Sequence, residues 1–135
     1  VIELVPLNPD TRPALEERIA ALGGRHSWRE RWRRPVGSPY VWYAGGWAPL
    51  DAVADRAPDL LRLGFERLRG GLLLHAAQRH DAWVAAFAEP LDWRLGAEDA
   101  EGHRDLALGG LALRLRVPPQ HRGRFARFAE GLHGA

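Results

Sequence analysis

Six histidines, at positions 26, 75, 80, 103, 121 and 133, are the side chains best suited to hold a metal or move a proton at neutral pH. A metal site wants two histidines four apart on a helix, or alternating on a strand, with carboxylates beside them. His75 and His80 are five apart. On a helix that spacing turns them about 140° from each other, so they would not share a face. His80 lies near Asp81 and Glu89, but sequence neighbours point away from one another. No metal is expected. Each histidine reads first as a surface or core side chain.

Nucleophiles are scarce. The chain has two serines, Ser27 and Ser38, one threonine, Thr11, and no cysteine. Neither serine sits in a G-x-S-x-G turn, and Ser27 beside His26 is not a Ser–His pair. Without cysteine there are no disulfides, thiolate metal sites or thiol nucleophiles. The Gly-Gly pairs at 23–24, 45–46, 70–71 and 109–110 match neither a P-loop nor a dinucleotide fingerprint; they read as ends of regular elements. The carboxylate pairs Glu16/Glu17 and Glu98/Asp99 fall in segments expected to be exposed. No cofactor is expected. An enzyme built from distant histidines and carboxylates, with His75 or His80 in a composite pocket, stays open as the second reading.

Arginine is the feature that rises above background. All 19 basic residues are arginine, against 17 acids, for a net charge of +2. The isoelectric point of 9.9 overstates the basicity. With neither lysine nor cysteine, little titrates between the α-amino group and the tyrosines near pH ~10. Lysine's absence also excludes Schiff-base and Walker-lysine chemistry. Residues 25–34 carry five arginines and one glutamate, with Trp28 and Trp32 between them. Leu106–Ala129 holds five more, Arg114, Arg116, Arg122, Arg124 and Arg127, and no acid. Guanidinium with indole can meet phosphate and base. The surface expected to bind an anion is therefore Arg29, Arg31, Arg33 and Arg34 with Trp28 and Trp32, extended by Arg122, Arg124 and Arg127. The plainer reading is a solvated face, and Arg114 and Arg116, alternating with leucines, read as the wet side of a strand. Trp28, Trp32, Trp42 and Trp47 likewise read first as core or interface aromatics.

Several elements must carry these residues. Val1–Leu7 reads as a strand. Asp10 or Thr11 caps a helix running to Leu22, with Leu15, Ile19 and Leu22 on one face and Gly23–Gly24 as its stop. Trp28 and Trp32 fit either a helix or a strand able to pair with a strand at Tyr40–Ala44. Pro49–Arg56 reads as a short helix. Pro58 suits the first turn of a second one, with Leu60, Leu61, Leu63, Gly64 and Leu68 on its apolar side. Leu72–Ala88 fits one long helix, or a buried strand Leu72–Ala76 and then a helix capped by Asp81; three leucines after Gly-Gly favour the latter. Leu91–Leu95 reads as a strand and Gly96–Arg104 as a surface loop. Leu106–Leu108 and Leu111–Val117 are strands whose apolar phase changes at Gly109–Gly110, which requires a tight hairpin or a bulge. A last helix spans about Gln120–Leu132.

At 135 residues, 46% hydrophobic and 27% charged, the chain has one domain's worth of core and is not a disordered polymer. No apolar stretch approaches the ~18–20 residues of a membrane span. The first ten residues lack the features of a signal peptide, and cytoplasm is the expected compartment. The expected fold is a single α+β domain with a mostly antiparallel sheet packed against helices on one face. The expected function is a non-catalytic binding or adaptor protein for an acidic protein or nucleic acid. A homodimer is expected because aromatics such as Tyr40, Trp47 and Trp93 sit beside turns, where one subunit buries them with difficulty. A pocket lined by histidine and carboxylates would favour the enzyme; an open arginine surface would favour binding.

Overall fold

The computed structural model describes residues 2–27, 36–55 and 60–133. Among the described residues, eight strands form one antiparallel sheet: β1 (Val5–Pro6), β2 (Val41–Gly45), β3 (Arg62–Leu68), β4 (Gly71–Gln78), β5 (Asp81–Ala88), β6 (Trp93–Leu95), β7 (His103–Leu108) and β8 (Leu111–Arg116). Their spatial order is β1-β5-β4-β3-β2-β8-β7-β6. Three helices among the described residues accompany them: α1 (Arg12–Ala21), α2 (Ala48–Ala54) and α3 (Arg122–His133), the last entered through a 3₁₀ turn at Pro119–His121. The broad expectation of an α+β chain with an antiparallel sheet is met.

The helix expected from Pro58 to Leu68 is instead strand β3 from Arg62 onward. Leu61, Leu63 and Phe65 are buried, while Arg62 is exposed and Gly64 and Glu66 are partly so. That is a period of two, which the extra apolar residues at 60 and 68 disguise as helical. The helix expected after Asp81 is also a strand, β5, paired along its whole length with β4. Its run Ala82–Ala88 is apolar on both faces because both are covered, so alternation is lost from the sequence. The loop expected at Gly96–Arg104 gives way to β7 at His103. The phase change at residues 109–110 is a two-residue hairpin, with Leu108 opposite Leu111. Gly109 and Gly110 take φ of 56° and 85°, the left-handed values such a turn requires.

Two apolar clusters hold the sheet. Along β4, Leu72, Leu74 and Ala76 belong to one and Leu73 to the other. Successive residues of a strand face opposite ways, so the clusters lie on opposite faces. The larger takes Leu50 and Val53 from α2 and Phe125, Phe128 and Ala129 from α3. The smaller takes Ile19 from α1 and Leu22 just after its end against Leu68, Leu73 and Val84. Helical side chains therefore meet both faces, where one was expected. Helix α1 ends as its glycines foretold, with Gly24 N–H donating to the Ile19 carbonyl and Gly23 N–H to that of Ala20.

The sheet curves strongly around the larger cluster. Phe65 on β3 and Trp93 on β6 are four strand steps apart, about 19 Å on a flat sheet. Their ring centroids are only 5.1 Å apart. Trp93 is 2% exposed and Trp47 8%. Both are buried within the chain, which removes them from the argument for a dimer. Tyr40 and Leu60 remain as exposed large apolar side chains. Among the described residues no helix is long and apolar enough to cross a membrane.

Candidate anion-binding surface

Residues 36–38 run beside β3 where its pairing with β2 has ended. Arg67 N–H donates to the Val36 carbonyl (2.7 Å) and Ser38 N–H to that of Phe65 (2.8 Å). The Ser38 hydroxyl accepts from Phe65 N–H (2.9 Å) and donates to the Pro39 carbonyl (2.9 Å). Both capacities of this hydroxyl hold backbone in place, as suits a structural serine.

Two open clefts share Gly37 and Ser38. The first, about 300 Å³, is completed by Pro39, Arg124 and Arg127. The two arginines are three apart on α3, hence on one face of it. Buried Phe125 and Phe128, next to each in sequence, turn the opposite side of the helix into the core. Neither Arg124 nor Arg127 has an ion-pair partner among the described residues. Arg122, expected to join them, is instead paired with Glu98 (3.1 Å).

The second cleft, about 370 Å³, is lined by Val36, Gly64, Phe65, Glu66 and His75 as well. Residues 64 and 75 are cross-strand partners on β3 and β4. His75 Nε2 lies 3.5 Å from Glu66 Oε1, and Arg25 Nε lies 3.5 Å from Glu66 Oε2. His80 is exposed in the β4–β5 turn and does not join this pair. Among the described residues no group of three histidines and carboxylates is placed to hold a metal ion. A third cleft of about 580 Å³ separates β1, α1 and β5; it is mostly apolar, and Arg18 shares its lining with Glu3 and Asp10.

Trp28, Arg29, Arg31, Trp32, Arg33 and Arg34 lie outside the described residues, as does the hairpin strand considered for Trp28–Trp32. In sequence Arg34 stands two positions before Val36.

Sheet register assembles a second cationic array. Trp42 on β2 stands opposite Arg62 of β3 on one side and Arg116 of β8 on the other. Residues directly opposite in an antiparallel pair share a face, with Cβ atoms about 4.5–5.5 Å apart. Val41 and Tyr43, the neighbours of Trp42 on β2, turn into the core. Arg62, Trp42 and Arg116 therefore form a row on the opposite face. Arg62 and Arg116 are exposed and Trp42 is half-buried. Among the described residues neither arginine has an ion-pair partner. The Tyr40 ring packs edge-on against Trp42 (centroids 5.2 Å) and against His121 (4.5 Å). His121 Nδ1 is 2.9 Å from the Tyr40 carbonyl oxygen.

The row ends at His103, opposite Arg116, where acids gather. Asp99 accepts hydrogen bonds from His103 N–H and Glu101 N–H and pairs with Arg114. Those bonds, the one from His103 N–H first, hold its carboxyl below the usual carboxylate range. Arg114 is thus neutralised where Arg116 is not. Sequence reading identified Arg114 and Arg116 as strand surface but missed the row. Arg62 was assigned to a helix, and only register brings residues 42, 62 and 116 together.

Comparison with protein-family models, with curated proteins and with solved structures finds no match.

Proposed function

We propose that the chain is a single-domain, non-catalytic binding or adaptor protein of the cytoplasm whose arginine surface meets an anionic partner, an acidic protein or nucleic acid. One observation carries this reading: Arg124 and Arg127 line the same cleft with Gly37–Pro39 and have no ion-pair partner among the described residues. Net charge is only +2, so long-range steering is weak and attraction must come from such local concentrations. Arginine suits the task because its planar fork donates two parallel hydrogen bonds to a phosphate or carboxylate. The test is fluorescence anisotropy of labelled heparin, polyglutamate and oligonucleotide against the native chain and the variant Arg124→Gln/Arg127→Gln. Weakened binding in the variant supports the cleft; binding equal in both removes it. A homodimer belongs to the same proposal, supported by exposed Leu60 and by β6, which ends the sheet among the described residues. A 15 kDa species in sedimentation at micromolar concentration would refute that part.

The contact of His75 with Glu66 favours a second reading, a small enzyme with a composite histidine–carboxylate pocket. A carboxylate beside an imidazole can orient it as a general base. Turnover of simple ester or phosphodiester substrates that vanishes in His75→Asn would support this reading, and absence of turnover by the native chain would count against it.

A further inference from the structure

We propose that the row Arg62–Trp42–Arg116, with Tyr40 at its flank, is a platform for single-stranded nucleic acid. This inference rests on the anion-binding reading and names the partner. A site for carboxylates alone needs cations and gains little from an aromatic ring between them. Here the ring is central: Trp42 lies between two arginines on neighbouring strands, one on each side. Two strand spacings separate the arginines, about 10 Å at the backbone. A nucleotide has the matching parts, a flat π-face for the ring and phosphates on either side for the guanidinium groups. Tyr40, 38% exposed, widens the aromatic surface.

The row stands on β2, an interior strand of the sheet, with β3 and β8 as its neighbours. It therefore presents side chains and not free backbone, so recognition is by stacking and charge, which tolerates many base sequences. A duplex hides its base faces in the stack and can offer this row only phosphate. Tyr40 also follows Pro39, a residue of the Arg124/Arg127 cleft. Acid-flanked His103 closes the row across the sheet, beyond Arg116.

The experiment measures anisotropy of labelled oligothymidylate and oligouridylate with the full chain, alongside the same sequence as duplex, heparin and polyglutamate. Trp42→Ala should weaken single-strand binding roughly tenfold or more, while Trp42→Phe, which keeps a ring, should largely preserve it. Arg62→Gln/Arg116→Gln should weaken it and flatten the dependence of log affinity on log salt by about 0.7 per arginine removed. Arg12→Gln is the matched charge control and should leave binding unchanged. Circular dichroism verifies that each variant is folded, and Trp42→Phe keeps the test valid if Trp42→Ala is not. Single-strand binding that outcompetes duplex and depends on Trp42 and both arginines establishes the platform. Binding of heparin or polyglutamate with equal affinity, indifferent to Trp42, overturns the platform and leaves the anion-binding reading standing. No binding of any polyanion at low salt overturns both.

Discussion

Replacing Phe128 with alanine tests how firmly α3, and with it Arg124 and Arg127, is held to the sheet. Phe128 is 0% exposed, and its ring lies 6.4 Å from Phe65 and 6.3 Å from Trp93. Truncation removes a whole ring from an aromatic cluster joining β3, β6 and α3, which cannot collapse without shifting all three. Phe→Ala at such sites costs about 3–5 kcal/mol, a large share of the roughly 5–15 kcal/mol that stabilises a typical domain. At about 1.4 kcal/mol per tenfold, the folding equilibrium falls by roughly two to four orders of magnitude. Urea unfolding followed by circular dichroism measures this, with an unchanged slope on denaturant establishing that the native state itself was destabilised. Glu130→Ala, on the exposed side of the same helix, should stay within about 0.5 kcal/mol. A loss below about 1 kcal/mol for Phe128→Ala would refute the packing. It would also remove the reason for Arg124 and Arg127 to face residues 37–39.

Tyr43 accepts from the Trp47 N–H (2.9 Å) and lies within hydrogen-bond distance of Asp51 Oδ1 (2.6 Å), tying β2 to α2. Tyr43→Phe strands a buried N–H and should cost about 1–3 kcal/mol in urea unfolding. Burial first, then the bond to Asp51, raises the phenol above its ordinary value. Its stabilising share is therefore full below the unfolded value near pH ~10 and lost as pH rises from there toward the folded value. Tyr43→Phe should abolish that part of the alkaline loss; an unaltered alkaline profile would contradict the account. Asp99 has the opposite sign. Its lowered value contributes stability above the unfolded value of about pH 4, lost as pH falls through the folded one. Melting curves of Asp99→Asn should show a shallower acid slope than the native chain, and an equal slope would exclude this role.

What was legible in the sequence follows from what each residue must satisfy locally. Helix α1 announced itself because Leu15, Ile19 and Leu22 fall on one face before a glycine stop. The β7–β8 hairpin did so because its leucines change phase across Gly109–Gly110. Strand β3 was misread because Leu60 and Leu68 add a helical rhythm to the alternation of Leu61, Leu63 and Phe65. Strand β5 was misread because apolar cover on both faces erases alternation altogether. The site divides in the same way. Arg124 and Arg127 stood out in an acid-free run on a clear helix, though the loss of Arg122 to Glu98 needed the fold. The row at Trp42 was invisible, since its cations come from strands 20 and 74 residues away in the chain and nothing local encodes their register.

The most direct test of the central claim, that arginines without ion-pair partners gather into an anion-binding surface, is a titration of the arginine Nε–H signals by nuclear magnetic resonance. The native chain is titrated with oligothymidylate at low salt. The account predicts that the signals of Arg62 and Arg116 move together with one saturating affinity and those of Arg124 and Arg127 move as a second set, while Arg25, Arg94 and Arg114, held by Glu16 and Glu66, Asp92 and Asp99, stay in place. Shifts confined to the paired arginines, or no shift at any arginine, would contradict it.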